Sequence, residues 1–113
     1  MRKIIVFVLA IILYSTQFSY AHAPSRVEVS YDPETSEVSV MVYHDVKDPK
    51  THYIKNISVF VNDVQVLQDE YSQQSNNMDQ PAVYELRDLK SGDKVTVKAS
   101  CSISGQNSTT LTI

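Results

Sequence analysis

Arg26-Val27-Glu28-Val29-Ser30-Tyr31 and Glu37-Val38-Ser39-Val40-Met41-Val42-Tyr43 decide the fold. In both stretches apolar and polar residues alternate one for one. That period places Val27, Val29 and Tyr31 on one face of a strand, and Val38, Val40 and Val42 on one face of a second. Between them, Asp32-Pro33-Glu34-Thr35-Ser36 reads as a turn, because Pro presets its backbone angle while Asp and Ser can bond their own backbone. The two stretches predict a hairpin with one face turned to a core.

The same reading extends down the chain. Tyr53 to Val61 is rich in β-branched and aromatic residues, Asn62-Asp63 is a two-residue turn signal, and Val64 to Leu67 returns. Gln68 to Pro81 is polar and predicts a long mobile loop. Val83 to Leu86 is a short strand, Lys90-Ser91-Gly92-Asp93 a turn, Lys94 to Ile103 a long alternating strand, Ser104 to Ser108 a turn, and Thr109 to Ile113 a last strand. No useful helical period occurs. The expected fold class is all-β: an immunoglobulin-like antiparallel β-sandwich of about seven strands.

The first residues read as a targeting segment rather than as part of that fold. Met1-Arg2-Lys3 is basic, Ile4 to Tyr14 is apolar, and Ser15 to Tyr20 is more polar. The apolar run is shorter than the roughly 20 residues that span a bilayer, and no cysteine follows it to accept a lipid. Residues 1–21 are therefore expected to be a signal peptide and residues 22–113 the mature domain, with cleavage after Ala21 and an alternative frame after Ala23. The expected destination is the periplasm or the extracellular space, with no stable membrane insertion after cleavage. Loss of Arg2 and Lys3 leaves eight basic against thirteen acidic residues, so the net charge moves from -3 to -5. No basic stripe remains, which argues against nucleic acid and anionic membrane as partners. No glycine-rich phosphate loop or serine nucleophile elbow is present.

The chemistry-bearing residues are few. The chain has three histidines, His22, His44 and His52, and one cysteine, Cys101. A lone cysteine in an exported protein cannot form an internal disulfide, which leaves an inert buried thiol, an intermolecular bridge or a metal ligand. His44 ends one predicted strand and His52 begins the next, so both belong to the same rim of the sandwich. Pro24 stiffens the segment that carries His22, and Cys101 lies near the end of its strand. Imidazole nitrogen with thiolate sulfur suits iron, copper or zinc.

In order and strand context these residues resemble the iron-binding domain of the superoxide reductases, the desulfoferrodoxin or neelaredoxin family. The matching elements are His22-Ala23-Pro24, the loop opened by His44, His52-Tyr53-Ile54-Lys55-Asn56-Ile57-Ser58-Val59 with Val61-Asn62-Asp63, Ser91 to Cys101, and Cys101-Ser102-Ile103-Ser104-Gly105. The resemblance implies a mononuclear non-haem Fe(II) centre with equatorial His22, His44 and His52, axial Cys101 and an open position where superoxide is reduced to hydrogen peroxide. It also implies an electron-donor protein and a small-molecule oxidant as partners, and it allows a homo-oligomer. Three features depart from the family pattern. Ser104 stands where the family has a fourth histidine, the His44–His52 spacing is longer, and Ala21 replaces a lysine before the first histidine.

Two other readings fit the same residues. One is a non-catalytic copper or iron carrier. Cleavage after Ala21 would give His22 a terminal amine, of pKa about 8, as a second nitrogen donor, resembling amino-terminal histidine chelation in some copper proteins. The other is a metal-free interaction module similar to the sulfur-oxidation carrier partner proteins, which share a small immunoglobulin-like fold and a comparable strand start at His52-Tyr53-Ile54.

Overall fold

The computed structural model describes residues 22–113. The signal-peptide reading of residues 1–21 lies outside the described residues. Seven strands form: β1 (Arg26–Asp32), β2 (Glu37–Tyr43), β3 (Ile54–Val61), β4 (Val64–Glu70), β5 (Asp79–Glu85), β6 (Lys94–Cys101) and β7 (Gln106–Thr112). They build one sheet in the order β1-β2-β5 and a second in the order β4-β3-β6-β7, with every pairing antiparallel. The chain crosses between the sheets after β2, β4 and β5, the crossing pattern of an immunoglobulin-like sandwich.

The alternation read from the sequence sets the inner faces. Val38, Val40 and Val42 of β2 pack against Ile57 and Val59 of β3 and Val95, Val97 and Ala99 of β6, all buried, with Val27 of β1 closing one side. A buried valine or isoleucine contributes about 1.5–3 kcal/mol of transfer free energy. The register of β3 against β6 shifts between Ile54 and Asn56, so Ile54 and Ile57 both point inward despite odd spacing. Asn62 and Asp63 both take positive φ (49° and 68°), the geometry of the tight hairpin turn predicted between β3 and β4.

The expected loop over Gln68–Pro81 is corrected. β4 continues to Glu70 opposite Asn56, and β5 begins at Asp79 opposite Tyr43, which leaves only residues 71–78 as a loop. These polar residues extend because main-chain pairing with β3 and β2 needs no apolar side chain on an exposed edge. Pro81 is tolerated because β5 is an edge strand. β6 also ends at Cys101, and the turn that follows spans residues 102–105.

Polar contacts close both sides of the sandwich. On one side the Thr109 hydroxyl donates to the Val27 carbonyl (2.6 Å) and the Asn107 amide to the Pro24 carbonyl (3.1 Å). On the other, the Tyr71 and Tyr84 hydroxyls both donate to Asp69 Oδ2, at 2.7 and 2.8 Å. Asp69, within the stretch expected to be a polar loop, is thus a cross-sheet acceptor. Burial first, then the hydrogen bonds with Tyr71 and Asp69, pushes the Tyr84 hydroxyl far above the ordinary tyrosine range.

A proton held more tightly by the folded than by the unfolded chain contributes stability below the unfolded pKa, about 10 for tyrosine, and that stability is lost as pH rises beyond it. Urea unfolding from pH 8 to 11 is expected to show a loss of stability starting near pH 10. Tyr84→Phe should flatten that loss, and an unchanged alkaline profile in the variant would contradict this account.

Candidate metal centre

Antiparallel pairing brings one end of all seven strands to a common rim: the start of β1, β3, β5 and β7 and the end of β2, β4 and β6. Four segments meet there, residues 22–25, 44–53, 71–78 and 102–105. Each of the predicted site residues sits on or beside one of them.

The loop between β2 and β3 turns back on itself through Asp48. Its carboxylate accepts the Lys50 N–H, and its carbonyl accepts the Thr51 and His52 N–H groups. This fold-back returns His52 to the neighbourhood of His44. The turn after β6 is tied to the same loop: Ser102 N–H donates to the Tyr53 carbonyl (2.8 Å), and Tyr53 N–H donates to the Ser102 hydroxyl (3.1 Å). Cys101 continues the inward row Val95, Val97 and Ala99, so its side chain faces the interior at the top of the core and is only 2 % exposed.

The three imidazoles cluster. Ring centroids lie 4.8 Å apart for His22–His44, 4.8 Å for His44–His52 and 5.2 Å for His22–His52. One nitrogen from each lies within 4.8 Å of the others, so the cluster could hold a metal ion. His52 Nε2 is 3.2 Å from Cys101 Sγ, and the Ile103 N–H donates to that sulfur at 3.4 Å. The mutually close donor group comprises the histidines, with Cys101 adjoining it through His52. Ser104 is exposed. Burial, and then the charges of His44 and His22, lowers the His52 pKa, which favours the neutral ring that coordinates metals.

Gln74 was not distinguished by sequence reasoning and organises this rim. It is 3 % exposed. Its Oε1 accepts from Ile54 N–H (3.2 Å) and faces His44 Nδ1 (2.9 Å), while its Nε2 donates to the carbonyls of His44 (2.8 Å) and Asn76 (2.9 Å). Three main-chain groups therefore fix which end of the amide faces His44. An acceptor there requires Nδ1 of His44 to carry the proton, leaving Nε2 as the free nitrogen of the neutral ring. That Nε2 lies 3.1 Å from the His22 carbonyl oxygen. His22 Nδ1 donates to the Ala23 carbonyl (3.1 Å), which likewise frees its Nε2. The donor chemistry fits a bound transition metal. Within Gln73-Gln74-Ser75-Asn76-Asn77 no local pattern separates Gln74 from its neighbours.

Gly105 controls where His22 can lie. Its φ is +88°, and a Cβ there would sit 2.9 Å from the N, Cα and Cβ atoms of Ala23. The N-terminal segment thus rests directly on a bare backbone in the turn that follows Cys101.

A scan against protein-family models and a search of curated proteins found no match to this chain. Among the described residues no helix is long and apolar enough to cross a membrane.

Two variants test this architecture. Gln74→Ala should lower stability to urea by about 1–3 kcal/mol for each buried main-chain group left without a partner, and it should release the His44 ring, visible as altered imidazole NMR signals. Gly105→Ala should cost about 1 kcal/mol or more through its positive φ and shift the His22 ring signals. Unmoved His22 signals would refute the contact's role.

Proposed function

We propose that this chain is an exported mononuclear transition-metal protein whose centre is formed by His22, His44, His52 and Cys101. The carrying observation is convergence: three imidazoles with donor atoms within 4.8 Å of one another, and a cysteine sulfur 3.2 Å from one of them. The free-nitrogen directions that Gln74 and the Ala23 carbonyl impose on His44 and His22 support it further.

Iron(II) is the metal that the resemblance to superoxide reductases favours. Bound ferrous iron would supply the one electron that, with two protons, takes superoxide to hydrogen peroxide, and a separate donor would restore it. The residues have defined parts in that reading. Cys101 offers a sulfur that accepts the Ile103 N–H and lies beside the His52 ring. The Gln74 amide holds the His44 ring, and His52 is kept neutral. A cleft of about 660 Å³, lined by His22, Val46, Thr51, His52 and Met78 among others, leads from solvent to the cluster and admits a small molecule.

A second reading, a copper or iron carrier without turnover, is favoured by two observations. Ser104 replaces a family imidazole, and Asp45 and Asp48 outnumber Lys47 on the cleft walls, which disfavours an anionic substrate. The metal-free interaction module lacks an equivalent reason for three imidazoles to face one another.

The protein purified anaerobically should bind one Fe(II), Cu(I) or Zn(II) per chain. His44→Ala should abolish binding, and Cys101→Ser should remove the thiolate-to-metal absorption band of the iron or copper form. A wild-type chain that takes up none of the three ions ends the metal reading. Stoichiometric peroxide from superoxide separates the reductase from the carrier.

A further inference from the structure

Met78 is 62 % exposed, although a thioether side chain normally fills core gaps. Its backbone is rigidly placed. The Met78 carbonyl accepts the His44 N–H (3.0 Å), the neighbouring Asn77 carbonyl accepts the Val46 N–H (2.9 Å), and Asn76 Oδ1 accepts the Met78 and Asp79 N–H groups (2.8 and 2.9 Å). This clip extends the β2–β5 pairing beyond the sheet and holds Met78 against the start of the His44 loop. Met78 lines the same cleft as His22 and His52. Its thioether is unbranched, turns about three rotatable bonds and is not locked in a packed core.

We infer that Met78 is an additional soft ligand that makes the imidazole cluster a copper(I) site, approached from the cleft. The inference rests on the reading that the cluster holds a metal, and not on iron chemistry. Thioether and thiolate sulfur select Cu(I), while imidazole accepts several metals without much preference. Asp45 and Asp48 against Lys47 give the cleft a net acidic lining that favours a cation over an anion. A thioether that swings between solvent and the cluster also suits a metal that must arrive and leave: it can meet the incoming ion at the rim and share it with His22 and His52. Neither bond making with substrate nor a change of oxidation state is required.

The test compares the wild-type chain, Met78→Leu and Met41→Leu, the last altering a half-buried methionine of β2 away from the cluster. Affinities for Cu(I), by competition with bicinchoninate, and for Zn(II) and Fe(II) are measured for each. Met78→Leu should weaken Cu(I) binding by at least the roughly 10-fold that loss of a supporting group at a metal costs. Zn(II) and Fe(II) affinities, and every affinity of Met41→Leu, should stay unchanged. X-ray absorption of the Cu(I) form should count one sulfur fewer in Met78→Leu than in the wild type. Equal Cu(I) affinity and equal sulfur count in the two proteins overturn the role of Met78 while leaving the metal centre standing. Absence of all three ions from the wild-type chain overturns both.

Discussion

The primary amide of Gln74 is the contact on which the functional rim depends. One buried group serves the end of β2 through the His44 carbonyl, the start of β3 through the Ile54 N–H, its own loop through the Asn76 carbonyl, and the His44 ring through Nδ1. Those main-chain groups lie where two strands leave their sheets, so no ladder partner is at hand for them. Left unpaired in the interior, each would carry a desolvation penalty. The same requirement that stabilises the rim also dictates the protonation pattern of a histidine ring. Fold stability and the orientation of the His44 ring are therefore coupled at one side chain, and the ring cannot be reoriented without disturbing the sandwich.

Around that hub the site is graded from rigid to open. His44 is 1 % exposed, and Cys101 stands at the end of an inward-facing valine row, so both are positioned by the core itself. His52 is half-buried and is set by the Asp48 fold-back and the Ser102–Tyr53 bonds. His22 is exposed and reaches the cluster on a short segment that leans on Gly105. The candidate centre thus combines two buried side chains, one half-buried and one exposed, and the cleft beside it is lined by the two less buried histidines and Met78. That asymmetry suits entry of an ion or a small molecule from solvent without opening the core.

The sandwich supports this rim by closing its flanks with polar contacts as well as apolar packing. Thr109 and Asn107 bind β1 and the segment before it to β7, and Asp69 with two tyrosines joins β4 to β5. These contacts bridge the edges at which the two sheets would otherwise separate. The Asn107–Pro24 bond also fixes the root of the segment that carries His22, so an edge closure and a site residue share an anchor.

By itself the sequence determined the number and order of the strands, the hairpin turns at residues 32–36 and at Asn62-Asp63, and the placement of His44, His52 and Cys101 near strand ends. Alternation and turn chemistry are local, so a few neighbouring residues suffice to read them. The resemblance to an iron-binding family likewise rested on short motifs and their order along the chain. Only the tertiary structure decided that β4 and β5 extend through polar residues, that Asp69 is a cross-sheet acceptor, that Gln74 holds His44, and that Met78 faces the cleft. Each of these depends on a partner brought near by strand register from a distant part of the chain: Gln74 lies 30 residues from the ring it orients. A glutamine among glutamines carries no signal until the main-chain groups it must satisfy are in place around it.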